Sequence, residues 1–204
     1  GQLAYGPVAD RFGRRIPLLV GLTLFTLASL ACAYAPNLEW LIGARFVQAL
    51  GGCAGMVISR AVVSDKCDAV GSAKVFSQLM LVMGLAPILA PMLGGLLVNT
   101  TGWQSIFLVL TGFSALAGLA VALGLPESMP ASMPRQPLSG AFRQYARLLS
   151  DRVYLGHALT GGIAIAGMFA YIAGSPFIFI KLYGVPAEHF GWLFGTNAAG
   201  FILV

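Results

Sequence analysis

Charged residues are scarce in this 204-residue chain: Asp, Glu, Lys and Arg make up 9% of it, whereas 58% is hydrophobic. A soluble globular domain carries about 25% charged residues, so this composition excludes an ordinary water-soluble domain. The mean hydropathy of +0.84 points the same way. We therefore expect lipid to surround most of the folded chain.

Several chemical signatures are also missing. Cys32, Cys53 and Cys67 do not have the spacing of a metal-ligand set, which favours small buried hydrophobes. The stretch "GGCAG" at 51–55 lacks the lysine of a phosphate-binding loop, and no paired acids, histidine cluster or nucleophile motif lies in the apolar segments. The sequence therefore predicts no enzyme, no metal site and no cofactor.

Five apolar segments are each long enough to cross the hydrocarbon core as a helix, which takes about 20 residues. They are residues 16–35, 40–62, 75–98, 103–125 and 153–178, with partial spans at 1–8 and 188–204. Each span must be helical, since a backbone in lipid has to satisfy its own hydrogen bonds. The prediction is an all-α, polytopic membrane protein. Because the chain lacks an initiator methionine and stops inside an apolar run, we expect a fragment.

Most of the positive charge lies in alternate connections between the spans. These residues are Arg11, Arg14 and Arg15 in the first connection, Arg60, Lys66 and Lys74 in the second, and Arg135, Arg143, Arg147 and Arg152 in the third. The intervening connections, 36–39 and 98–102, contain no Lys or Arg. The positive-inside rule places the basic connections in the cytoplasm, with the spans in a bacterial inner membrane. Because the net charge of +5 lies between apolar spans, it does not indicate nucleic-acid binding.

The third connection also suggests a domain boundary. It begins with the proline-rich stretch "PESMPASMPRQP" and continues into a segment with helical periodicity at Leu138, Phe142, Tyr145, Leu148 and Leu149. That pattern favours an amphipathic helix on the inner leaflet, with a disordered linker as the alternative. We predict an N-terminal bundle at 1–125, a cytoplasmic linker at 126–152 and the start of a second bundle at 153–204.

The stretch "GPVADRFGRR", residues 6–15, concentrates charge in an otherwise apolar region. Asp10 can cap the amides of the next helix or neutralise neighbouring arginines, and Gly13 permits a tight reversal. The simpler interpretation is an orientation signal alone. The pattern Gly-x-x-x-Asp-Arg-x-Gly-Arg-Arg resembles the signature loop between the second and third helices of the major facilitator superfamily, with Val8 where leucine is common.

That resemblance implies a partial major facilitator fold, from the end of helix 2 to the start of helix 8. It also implies that the loop acts as a cytoplasmic conformational gate, whose charge pairs form and break as the transporter rocks. The gate residues would be Gly6, Asp10, Arg11, Gly13, Arg14 and Arg15.

Arg45 is an ionisable residue inside an apolar span, where such residues face a cavity or a polar partner. The alternative is that its long side chain reaches the interface near Trp40. Gln48 lies within one helical turn and favours a cavity. The stretch "RFVQALG" is similar to the superfamily's fourth-helix motif Arg-x-x-Gln-Gly-x-Gly, with Ala49 replacing a glycine. The resemblance implies that Arg45 and Gln48 lie on the proton or substrate pathway.

The stretch "GLAPILAPMLGG" places small residues and prolines on one helical face, which suits a bent helix that another bundle slides against. An ordinary kinked packing helix is the alternative. It resembles the fifth-helix motif of antiporters, Gly-Pro-x-x-Gly-Gly, with Ala90 for the first glycine; the residues are Gly84, Pro87, Pro91, Gly94 and Gly95. The stretches at 59–65 and 171–200 look like the bicyclomycin-resistance (Bcr/CflA) branch of drug exporters, and the resemblance covers nearly the whole chain.

Proton coupling needs a group that changes its charge, yet all seven acidic residues lie at or outside the span ends. His157 is the local candidate because its ordinary pKa suits proton transfer, with an interfacial residue as the alternative. Polar, aromatic or adaptable side chains within the spans are candidate cavity residues or ordinary packing: Met56, Gln78, Met83, Tyr171 and Asn197.

The expected function is a secondary active transporter, a monomer without a cofactor, that exports drugs or small metabolites by proton antiport and alternating access. The alternatives left open are a proton-coupled importer and a non-transporting membrane remnant.

Overall fold

Seven α-helices account for most of the chain in the computed structural model, which describes residues 1–129, 138–186, 190–191 and 193–196. The helices are α1 (Gln2–Phe12), α2 (Arg15–Ala33), α3 (Leu38–Lys66), α4 (Ala69–Thr101), α5 (Gln104–Gly124), α6 (Leu138–Ser150) and α7 (Arg152–Pro176), followed by a π-helix at Phe177–Leu182. The described residues contain no strand. The predicted all-α class is therefore confirmed.

Five stretches of helix are long and apolar enough to cross a membrane, which confirms the number and order of the predicted spans. They are Arg15–Ala33, Leu38–Lys66, Ala69–Ala86, Gln104–Gly124 and Arg152–Leu182. The chain is a multi-pass membrane protein.

Polar side chains mark three of the points at which a long helix begins. The Asn37 side chain accepts a hydrogen bond from the Trp40 amide at 2.8 Å and begins α3. Asp68 accepts from the Gly71 amide at 2.9 Å and begins α4, and Asp151 does the same for α7. These caps satisfy amides that the first turn of a helix leaves without a partner.

The described residues divide into two compact units: unit 1 is 1–80 with 97–138, and unit 2 is 81–96 with 139–204. The predicted division at 125 and 152 remains a prediction. In unit 1, α2 packs along both α3 and α5, and α1 packs against α3. Small residues allow the close approach of α2 and α3, because a Cβ at Gly51 would lie 2.6 Å from the Phe25 amide nitrogen.

Unit 2 contains α6, α7 and the central part of α4. Helix α4 continues without interruption through Pro87 and Pro91, the two prolines of the fifth-helix motif. Aromatic rings join the end of α7 to the residues that follow the π-helix. Tyr171 stacks on Phe194 at a centroid distance of 5.7 Å, and Phe190 lies 5.8 Å from Phe194. The π-helix itself is marked by an i→i−5 hydrogen bond from the Tyr183 amide to the Ile178 carbonyl.

Candidate functional site: a charged cluster and a polar network in unit 1

Arg14 is the centre of a charged cluster at one end of unit 1. Its Nη1 donates to Asp10 Oδ1 at 2.5 Å, and its Nε donates to Asp65 Oδ2 at 3.0 Å. The Arg14 side chain is only 7% exposed, so the two carboxylates replace the water that its charge would otherwise require. Asp10 comes from α1 and Asp65 from α3, and one buried guanidinium therefore ties the two helices together.

Glu127, which follows α5, completes the charged cluster. Its carboxylate accepts hydrogen bonds from the backbone amides of Arg14 at 2.8 Å and Arg15 at 3.2 Å, and from those of Ser128 and Met129. Desolvation alone would raise the pKa of Glu127. The four amide donors outweigh it and hold the pKa below its ordinary value.

This geometry settles what Asp10 does locally. The sequence left two options open, capping of the next helix or neutralisation of a nearby arginine. Capping is wrong, because Asp10 lies inside α1 and pairs with Arg14. The amides at the start of α2 are satisfied by Glu127 instead, an acid 112 or more residues away along the chain.

Gly13 makes the reversal between α1 and α2. Its φ of +88° is a conformation that side chains with a Cβ rarely adopt, which confirms the predicted tight turn. Arg15 also joins α2 to α5, since its Nη2 donates to the Ala122 carbonyl at 2.5 Å. The other two predicted gate residues lie apart from these contacts: Arg11 is exposed over the ring of Phe12, and Gly6 is half-buried within α1.

A second polar group, the Gln48 network of Ser29, Arg45 and Gln48, lies inside the spans. Arg45 Nη1 donates to Gln48 Oε1 at 2.6 Å, and Gln48 Nε2 donates to Ser29 Oγ at 2.6 Å. Gln48 is 2% exposed and Ser29 is fully buried, so both are hydrogen-bonded as buried polar groups must be. The Arg45 guanidinium also lies 5.6 Å from the ring centroid of Phe107 on α5. The predicted neighbours Arg45 and Gln48 are thus in direct contact.

Three residues of the charged cluster and the Gln48 network escaped the sequence prediction. Glu127 was counted only as an acid outside the spans, Asp65 only as one near a span end, and Ser29 as part of an apolar run. Thr26, one turn from Ser29 on α2, donates to Ser114 of α5 at 2.9 Å. The signal for Ser29 was this i, i+3 spacing of hydroxyl residues in an apolar helix, since polar side chains within a membrane usually face a partner helix.

The remaining predicted site residues do not converge on either cluster. Gly94 and Gly95 have no described heavy atom within 4 Å of an ideal Cβ, and His157 is exposed on α7. Met56 Sδ accepts a hydrogen bond from Gln2 at 3.6 Å. Five of the predicted residues lie on α4: Gly84 and Pro91 are half-buried, Gln78 and Met83 are exposed, and Pro87 is part of the same helix. Tyr171 packs in unit 2. Asn197 lies outside the described residues.

An apolar groove of about 710 Å³ runs between α2 and α3, at the end of unit 1 opposite the charged cluster. Its wall includes Leu27, Ala31, Trp40 and Val47. None of the predicted cavity residues lines it.

Membrane-length helices, a polar network between the spans and a charged cluster that joins four helix ends define a polytopic membrane protein. The family model described as Major Facilitator Superfamily matches residues 1–204. The chain therefore belongs to the major facilitator superfamily, a family of transporters rather than enzymes.

Individual relatives agree with this assignment. The chain is 43% identical over 99% of its length to a Bacillus subtilis protein named "Uncharacterized MFS-type transporter YdgK". It is 32% identical over 97% of its length to the "Bicyclomycin resistance protein homolog" of Haemophilus influenzae, and 32% identical over 90% to the "Multidrug resistance protein MdtL" of Klebsiella pneumoniae. The predicted likeness to the bicyclomycin-resistance branch is confirmed. The chain spans 51%, 50% and 46% of the length of these relatives, about half of each.

Proposed function

We propose that this chain forms part of a secondary active transporter that exports drugs or small metabolites across the bacterial inner membrane in exchange for protons. The observation that carries the proposal is the similarity, over 97% and 90% of the chain, to two proteins whose names describe bicyclomycin and multidrug resistance. The fifth-helix motif of Gly84, Pro87, Pro91, Gly94 and Gly95 favours export over import. The transporter works as a monomer, with its basic connections in the cytoplasm.

The charged cluster acts as the conformational gate of this transporter. Salt bridges and charge-assisted hydrogen bonds are strong when they are shielded from water and weak when water reaches them. They therefore suit a contact that breaks once in each transport cycle. Asp10 is 48% exposed even while paired, so water already reaches one side of the Asp10–Arg14 pair. Gly6 and Arg11 lie in α1, the helix that carries Asp10, and move with it.

The Gln48 network lies on the substrate or proton pathway. Arg45 supplies a positive charge inside the span. Its guanidinium uses one donor on Gln48 and lies over the face of Phe107. It has donors left for an anionic or hydrogen-bonding group of a substrate, or for a carboxylate that alternates its charge. His157, Met56, Gln78, Met83, Tyr171 and Asn197 are the further candidates for proton transfer and for the cavity wall.

Efflux from bacterial cells that lack their own exporters tests the proposal. The full-length protein should lower the accumulation of some members of a panel of fluorescent and antibiotic compounds, and a protonophore should abolish that effect. Replacing Asp10 or Arg45 by alanine should impair efflux by about tenfold without loss of expression. Asp10→Ala removes one of the two carboxylates that hold Arg14, and Arg45→Ala removes the positive charge that is bonded to Gln48. Arg60→Ala, an exposed cation outside both clusters, is the matched control. Accumulation above that of empty cells would instead identify an importer.

A further inference from the structure

Three glycines of the described residues have a positive φ, and only Gly13 has its Cβ position blocked by an acid. The φ angles are +88° at Gly13, +89° at Gly102 and +68° at Gly184. At Gly184 a Cβ would meet no heavy atom within 4 Å, and at Gly102 the nearest is the flexible Gln104 side chain at 3.1 Å. At Gly13 a Cβ would lie 2.7 Å from the Glu127 carboxyl carbon and would overlap Oε2. Glycine at position 13 therefore has a second structural reason besides the turn.

The Glu127 carboxylate can leave that space only by giving up its hydrogen bonds. Those bonds join the tail of α5 to the first amides of α2, at 2.8 Å for Arg14 and 3.2 Å for Arg15. A carboxylate at a helix N-terminus is favourable both for its hydrogen bonds and for its charge. A side chain at position 13 would therefore displace the acid that holds the start of α2.

The same contacts determine where the Arg14 guanidinium lies. Glu127 holds the Arg14 backbone N–H, while the side chain extends to Asp10 on one side and Asp65 on the other. Glu127 itself touches neither aspartate in these bonds. Its effect on the charged cluster is therefore transmitted through the backbone of Arg14.

We propose that Glu127 is a positioning residue of the gate: its carboxylate occupies the space left by the absent Cβ of Gly13 and holds Arg14 where it can bridge Asp10 and Asp65. This inference rests on the proposed gating role, but the contact it describes can be tested without transport. The requirement for glycine at position 13 then comes from Glu127 as well as from the turn.

A double-mutant cycle on the full-length protein in detergent tests the contact. Gly102→Ala measures the cost of the backbone conformation alone, because Gly102 (φ +89°, ψ 166°) has nearly the same angles as Gly13 (φ +88°, ψ 175°). We expect Gly13→Ala to lower the Tm by at least twice as much. In a Glu127→Ala background the cost of Gly13→Ala should fall to that of Gly102→Ala, because the added methyl group no longer meets a carboxylate. Equal costs of the two glycine substitutions in the wild type, or an unchanged cost of Gly13→Ala without Glu127, would overturn the proposal.

Amide exchange gives a second, direct measurement. Glu127→Ala and Gly13→Ala should each speed hydrogen exchange at the Arg14 and Arg15 amides about tenfold, because both release the same acceptor. Asp65→Asn is the matched control, since it removes a partner of the guanidinium and leaves these amides bonded. Protected amides in Glu127→Ala would contradict the proposal.

Efflux separates positioning from general destabilisation. Asp65→Asn should slow efflux of the wild type about tenfold, yet slow the Glu127→Ala variant by no more than about twofold, because Arg14 is already displaced there. Additive losses would mean that Glu127 does not act through Arg14. If the wild type shows no efflux at all, the proposed function fails, while the cycle and the exchange data still decide the positioning role.

Discussion

Arg14 is held at two points, by an acid at its backbone and by two acids at its side chain. The sequence pattern at 6–15 predicted Asp10, Gly13 and Arg14 as one group because they are close along the chain, and the structure brings these three together. The sequence pattern did not predict the contact between Arg14 and Glu127. Residues that are 113 positions apart leave no trace of their contact in local spacing. The acid's only local mark is its place directly after an apolar span.

Acidification should weaken the contact of Glu127 with the backbone amides of Arg14 and Arg15. The pKa of Glu127 is lowered from an ordinary value of 4.5, so its stabilising contribution is complete above that value and is lost as the pH falls through the folded-state pKa. The difference in Tm between the wild type and Glu127→Gln should therefore be constant above about pH 6 and shrink below about pH 4.5. Thermal unfolding in detergent across this range measures it.

The comparison isolates Glu127 because the other charged groups of the cluster, Asp10, Asp65, Arg14 and Arg15, are present in both proteins. A Tm difference that stays constant down to pH 3 would show that another group dominates the acid response.

At the scale of the helix, α3 contains two kinds of glycine. Gly51 faces backbone, since a Cβ there would lie 2.6 Å from the Phe25 nitrogen and 2.7 Å from the Gly21 carbonyl oxygen. Gly55, one turn further, has no described heavy atom within 4 Å of its Cβ position. The fourth-helix motif includes Gly51, but the sequence did not explain why a glycine is needed there. The close packing of α2 on α3 explains it.

Gly51→Ala should destabilise the protein by about 2 kcal/mol, because backbone atoms cannot move aside as side chains do. Gly55→Ala on the same helix should be neutral, or stabilising by about 0.5 kcal/mol, since alanine is the better helix former. Thermal unfolding of both variants in detergent compares them. Equal stability of the two variants would mean that α2 and α3 do not approach as closely as described.

The helices themselves were predictable because hydropathy is a local property. Their ends were less so: α3 continues to Lys66, beyond the predicted 62, and α4 begins at Ala69 instead of 75. The extra turns are polar and extend past the apolar window, where caps such as Asp68 decide the boundary. The pairing of helices was not predicted at all, because apolar faces in lipid carry little information about which neighbour they meet.

At the scale of the molecule, residues from three connections meet at one end of unit 1. Arg14 belongs to the first connection, and it contacts Asp65 near the start of the second and Glu127 near the start of the third. Successive spans that cross in alternate directions require this arrangement. The contacts bring these three residues together, and the positive-inside rule proposes the compartment.

Cysteine labelling in intact cells tests the proposed orientation. In a background with Cys32, Cys53 and Cys67 replaced, a cysteine at Phe12 or Gly140 should be protected from a membrane-impermeant thiol reagent. A cysteine at Pro36 or Asn99, in the connections without Lys or Arg, should be modified readily, because the proposed orientation puts these connections on the outer side. Permeabilised cells are the control, and there all four positions should react. Modification at 12 and 140 with protection at 36 and 99 would reverse the orientation, and with it the side on which the gate opens.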